Sequence, residues 1–372
     1  MRRRGVDSHP RIHPRSSSVG CLTNQRATTA MPADTILSVE LIEALRRIGS
    51  QLEASTGSPD DLETALHLLN TLPADAVVRA EREIVHCAKL YHYWQRPNAR
   101  STVLHQLKRS PGLQYLFVFH GDGTIREAAL RKMVSGLPSP FLFAAIAWRL
   151  NDWGPPVWRA AAECARRVFP LTAAPVIADA ALALLSRENS WRRWTDERAI
   201  LIETLGRSDV APSFIDLIRR RQTGAVASVL RRALQQESFD FYLQQLAQEA
   251  AQPAVRAVAL QALLEGFANW PSGFERQWVD KSMGITRRVK VFDRRPLSPM
   301  VMQTQPMLRR QLILSAVADR SAIVRKVALD GLIRCRDEIP DAKEIAAPLI
   351  LDRAASVRDR ARFLLRTGAE IL

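Results

Sequence analysis

A chain of 372 residues with 47% hydrophobic content has ample apolar material for a large core or a long array. Its formal net charge is +15 and only seven of its 53 basic residues are lysines. Part of that arginine use fits a GC-rich genome; the rest favours an acidic partner such as nucleic acid, an acidic protein face or anionic lipid. The longest apolar run, Phe141 to Trp148, falls far short of the ~20 residues of a membrane span. Cys21, Cys87, Cys164 and Cys335 form no CxxC pair. That argues against a disulfide framework or a cysteine zinc site and fits reduced thiols in a cytoplasmic protein.

Residues 1–33 are rich in Arg, Ser and Pro and lack an apolar h-region, so they do not read as a secretory signal. They are expected to be a disordered basic tail, or to lie upstream of a true start at Met31. Residues 34–111 predict an atypical helical N-terminal cap. Leu37, Leu41, Ile42, Leu45 and Ile48 share one face, Gly57-Ser58-Pro59 breaks the pattern, and further helices follow to Leu72, over Val78–Trp94 and over Ala99–Leu107.

From Gly112 a pattern recurs about every 33 residues: a small or acidic turn, an aliphatic residue, usually arginine, then small or aliphatic residues three, four, seven and eight positions on. The sharpest copies are Val255-Arg256 with Val258, Ala259, Ala262 and Leu263, and Val324-Arg325 with Val327, Ala328, Gly331 and Leu332. These positions form one helical stripe, and alanine or glycine in it lets neighbouring helices approach closely. No helical pair can bury its stripe alone, so the period predicts an all-α solenoid of stacked helical hairpins. Trp158-Arg159 reads as one copy, and the unit near Trp194–Leu205 as degraded. Pro271, Pro296, Pro299 and Pro306 interrupt the register over about 267–306. Val255 and Val324 lie about two periods apart, so an irregular basic insertion is expected to replace one unit of the array over 112–372.

Asp122-Gly123-Thr124-Ile125-Arg126, Asp319 to Arg325 and Asp352 to Arg358 resemble the HEAT-repeat signature, an aspartate in the inter-helix turn ahead of Val-Arg. The resemblance implies a right-handed α-solenoid, and a family composed mostly of scaffolds. The third unit departs from it by lacking Val-Arg, and the fourth by having no arginine after Val226.

The repeated arginines Arg126, Arg159, Arg256, Arg325 and Arg358 suit either a phosphate-binding groove or a structural ladder with Asp122, Asp152, Asp319 and Asp352; the ladder is the expectation. Trp153, Trp191 and Trp194, interleaved with Arg192 and Arg193, are candidate partner contacts. Aromatics beside arginine can stack unpaired bases or anchor a peptide, though core packing is the plainer role. Within the insertion, Arg287, Arg288, Lys290, Arg294 and Arg295 suit a strand or hairpin arm presenting charge to phosphates, or a solvated loop.

All seven histidines lie at or before His120, and HExxH, GxSxG and GxGxxG are absent. The expectation is a non-catalytic scaffold that binds a protein partner on a concave face, with no metal, cofactor or small molecule. Nucleic-acid binding is the alternative. The HEAT resemblance adds two enzymatic variants, a glycosylase for alkylated DNA bases using Asp152 or Asp196 beside the tryptophans, and a HEAT-type lyase.

Overall fold

A computed structural model describes residues 35–56, 58–91, 99–187, 197–303 and 305–366. The described part is mostly helical, with one two-stranded antiparallel sheet that an all-α expectation did not include. No described helix is long and apolar enough to cross a membrane.

The first helices are α1 (Val39–Ala54), α2 (Pro59–Asn70), α3 (Val77–Cys87) and α4 (Ala99–Arg109). Ser38 starts α1 by accepting from the Leu41 amide, and the α1 face of Leu41, Ile42, Leu45 and Ile48 is buried. Helical pairs follow: α5 (Leu113–Phe117) with α6 (Gly123–Lys132), α7 (Pro140–Arg149) with α8 (Pro155–Val168), and α9 (Ala174–Arg187) with α10 (Glu197–Leu205). Then come α11 (Val210–Arg220), α12 (Val226–Ala233), α13 (Leu243–Glu249) and α14 (Pro253–Glu265). Prolines at the first helical position of α7, α8 and α14 cost no hydrogen bond there. Strands β1 (Phe267–Asp280) and β2 (Ile285–Pro296) come next, then α15 (Pro299–Gln303), α16 (Gln305–Val317), α17 (Ala322–Arg334), α18 (Ala342–Ala346) and α19 (Ala355–Arg366).

The second helix of each pair packs on the next. Helix α6 meets α8, α8 meets α10, α12 meets α14, α14 meets α17, and α17 meets α19. The order loosens in the middle, where α12 also leans on α9. The small stripe residues have the expected effect: a Cβ built on Gly331 of α17 would stand 2.4 Å from Leu264 Cδ1 of α14, itself buried. Gly331→Val is expected to cost about 1–3 kcal/mol through overpacking. A shift in the urea midpoint checks this, and an unchanged midpoint would contradict the close approach.

The N-terminal helices do more than cover one end. Helix α2 packs on α5 and α7, α3 packs on α7, and the 3-10 turn Ala74–Ala76 touches α7 and α9. Glu81 of α3 accepts from Trp148 Nε1 at 2.7 Å and from the Arg149 guanidinium, so polar groups at the end of α7 recruit the segment. Helices α2 and α3 therefore lie against first helices, and α1 packs on the two of them.

Candidate functional site

The turn aspartates form a ladder. Asp122, Asp152, Asp319 and Asp352 each accept the amide two residues on, at 2.8–3.0 Å, which closes the turn and starts the following helix. The arginine that follows the first aliphatic residue reaches the aspartate of the next pair. Arg126 donates to both oxygens of Asp152 at 3.1 and 3.2 Å, Arg256 to both of Asp319 at 2.8 and 2.9 Å, and Arg325 to both of Asp352 at 2.6 and 2.8 Å. Their remaining Nη1 groups donate to carbonyls of their own turns, as Arg358 does to Asp352 and Arg353.

Two expectations need correction here. Val157, not Trp158, is the buried stripe residue of α8; Trp158 takes the ladder position, half-buried, and Arg159 is exposed over its ring at 5.3 Å. Arg149 supplies the second cation to Asp152 instead. Nor has a unit been replaced by the insertion. Arg256 grips Asp319, and α14 packs directly on α17, so the stack runs through and the extra residues are extruded from it.

Burial alone would raise the carboxyls of Asp122, Asp152 and Asp319, but amide and guanidinium hydrogen bonds outweigh it and hold all three below the ordinary aspartate range. At Asp352 the Arg325 guanidinium is the largest influence and lowers the pKa. A depressed folded-state pKa gives stability that is present above the unfolded value and lost as pH falls through the folded one. The melting temperature is thus expected to hold above about pH 5 and to drop below about pH 4, near the ordinary aspartate value. Equal melting temperatures at about pH 6 and pH 3 would contradict a ladder of ionised aspartates.

Asp152 is consequently a poor catalytic carboxylate. Its side chain is almost fully buried, and both oxygens are engaged by Arg126, Arg149 and the Gly154 amide. Next to it Trp153 is 74% exposed on the α7–α8 turn. Trp191, Arg192, Arg193, Trp194 and Asp196 lie outside the described residues. Burial pushes the Cys164 thiol up to about 12 and raises Cys87 as well, so neither is a nucleophile near neutral pH.

The insertion is a regular hairpin. Helix α14 ends at Gly266, whose φ of +75° turns the chain out of the helix, and β1 begins at the next residue. The two strands pair from Phe267↔Pro296 to Asp280↔Ile285, with bulges between Pro271 and Gly273 and between Trp278 and Asp280. A free two-stranded ribbon is marginally stable in water, so its base must be held. Arg295 does this. It binds both oxygens of the buried Asp240 at 2.9 and 2.7 Å and donates to the Leu234 and Gln236 carbonyls, while Asp240 also accepts the Ser298 amide. Arg232 donates to the Pro271 carbonyl. Arg295, expected among the partner contacts, is therefore an anchor because its guanidinium is fully used.

Cross-strand partners share a face, so the register sorts the remaining candidates. One face carries Phe267, Phe274, Trp278 and Phe292 together with Arg276, Arg288, Lys290 and Arg294. The rest of that face is Asn269, Pro271, Thr286 and Pro296, with no acid. Its rings are open: Phe274 is 50% exposed, Trp278 58% and Phe292 49%. Arg288 lies over Phe274 at 4.0 Å and Arg294 over Phe267 at 5.1 Å. Among the described residues none of these four cations has a carboxylate in ion-pair distance. The opposite face holds Glu275, Asp293, Arg295 and Arg287, the last bonded to Gln277 at 3.1 Å. Arg287 is thus separated from Arg288 and Lys290, with which the sequence had grouped it.

Near the hairpin base, the aromatic and basic face borders an open cleft of about 500 Å³. Lys290 and Phe292 line one side, and Ala227, Ser228 and Arg231 of α12 with Gln261 of α14 line the other. Arg231 donates to Gln261 at 3.3 Å, which holds a further cation in the cleft that Lys290 and Phe292 line. The four rings escaped the sequence reading, although Phe274-x-Arg276-x-Trp278 and Arg288-x-Lys290-x-Phe292-x-Arg294 alternate with the period of a strand. No family model, curated protein or solved structure matches the chain.

Proposed function

We propose that this chain is a non-catalytic, HEAT-like right-handed solenoid that binds nucleic acid, with the extruded hairpin as its principal contact surface. The serial packing of second helices and the arginine–aspartate ladder support the solenoid. The observation that carries the function is the hairpin face that combines four rings with four cations and no acid, the cations making no ion pair among the described residues. Protein-binding patches tend to lose charge at their centres, whereas phosphate backbones demand it. No catalytic step belongs to the proposal, since Asp152 is held by the ladder.

Fluorescence anisotropy of labelled oligonucleotides, single-stranded and duplex, tests this directly. With about four phosphate contacts to a single strand, log K should fall with log salt at a slope near −3, about a fifty-fold loss between 50 and 200 mM. Failure of both forms to bind at 50 mM salt, with capture of an acidic protein partner instead, would overturn nucleic acid in favour of a protein scaffold.

A further inference from the structure

The chemistry of the hairpin face separates one form of nucleic acid from another. A duplex keeps its bases stacked inside and offers rings only at its ends. An unpaired strand offers one π-face per nucleotide, and such faces stack on exposed aromatic side chains with little regard to base identity. The hairpin presents Phe267, Phe292, Phe274 and Trp278 in that order from base to tip. Arg294, Lys290, Arg288 and Arg276 stand beside and between them. Alternate residues on one strand face lie ~6.6 Å apart, so rings and cations succeed each other at roughly the spacing of bases and phosphates in an extended strand.

A two-stranded ribbon can also enter a major groove. Groove readers use hydrogen-bonding side chains on base edges, and that pose would offer Phe274, Trp278 and Phe292 thymine methyls at most and no base face to stack on. We infer that the hairpin's aromatic and basic face is a binding site for an unpaired nucleic-acid strand, with bases stacked on Phe274, Trp278 and Phe292 and phosphates held by Arg276, Arg288, Lys290 and Arg294. This rests on the nucleic-acid function proposed above and specifies its substrate. The inner end of the strand lies in the cleft, where Arg231 of α12 faces Lys290 and Phe292.

The site accepts strands of varied sequence. The guanidiniums that could read a base edge are assigned to phosphates here, and the amides of Asn269 and Gln261 are already bonded to Glu265 at 3.2 and 2.9 Å. Preference between bases then follows stacking strength.

The test compares three labelled probes of about twelve nucleotides, a size such platforms span: a thymidine strand, its duplex with an adenosine strand, and an abasic strand carrying the same phosphates. Native protein should bind the thymidine strand more tightly than either of the others. Phe274→Ala and Trp278→Ala should each weaken the thymidine strand by about 5- to 150-fold and leave the abasic probe unchanged. Both side chains are exposed, so circular dichroism and the melting temperature should stay native. Equal binding of thymidine and abasic strands, or tighter binding of the duplex, would overturn the stacking site while leaving nucleic-acid binding intact. Binding of none of the probes would remove both.

Discussion

Asp152→Ala is expected to lower the unfolding free energy by about 3–5 kcal/mol, the largest single-residue effect on stability anticipated for this chain. The change strands the Arg126 guanidinium, whose side chain is only 7% exposed, and takes one of two counter-charges from Arg149, 6% exposed, which keeps only Glu81. It also frees the Gly154 amide that Asp152 caps at 3.0 Å. An exposed ion pair contributes little, because water replaces each partner. Here water cannot reach either guanidinium without opening the stack. Urea denaturation of the variant against the native chain reads the difference directly. A loss below about 1 kcal/mol would place the pair in the surface class and contradict a buried ladder.

The second large effect concerns binding. Replacing Arg276, Arg288, Lys290 and Arg294 together by glutamine should flatten the salt dependence from a slope near −3 to near zero, because each lost phosphate contact removes just under one unit of slope. Affinity at 50 mM salt should fall by orders of magnitude. The four side chains form no ion pair among the described residues, so folding should lose only the two exposed cation–π contacts of Arg288 and Arg294, about 0.5–1 kcal/mol each. The matched control is Arg295→Gln, which breaks the anchor on Asp240 and should release the hairpin base and lower the melting temperature. A quadruple variant that keeps the native salt slope would place the phosphate contacts elsewhere.

The ladder was legible in the sequence because its parts recur. An aspartate just ahead of a helix and an arginine after the first aliphatic residue recur, six residues apart at Asp319–Arg325 and Asp352–Arg358 and four apart at Asp122–Arg126, and the ladder geometry lets the arginine reach the next aspartate. The register of α8 was not legible, because Val157 and Trp158 are both apolar, and periodicity alone cannot choose which one faces inward. The hairpin was half visible. Its charge stood out, but its faces depend on the bulge at Ser272. Phe267 and Phe274 are seven residues apart, which would set them on opposite faces of an unbroken strand, and the extra residue brings them onto the same one. Pairing parity is a property of two strands, so no reading of one strand supplies it. The separation of Arg287 and Arg295 from Arg288, Lys290 and Arg294 needs no partner strand, because β2 is unbroken and alternation alone gives it once the segment is read as a strand. That the stack continues past the hairpin required the Arg256–Asp319 contact, which spans 63 residues.

The central claim is that an unpaired strand lies on the aromatic and basic face of the hairpin. Photo-crosslinking a 4-thiothymidine strand to the intact protein, followed by mass mapping of the adducts, tests it most directly. Crosslinks should concentrate on Phe274, Trp278 and Phe292. Crosslinks confined to the Trp153 turn or spread over the helices, with none on β1 or β2, would contradict it.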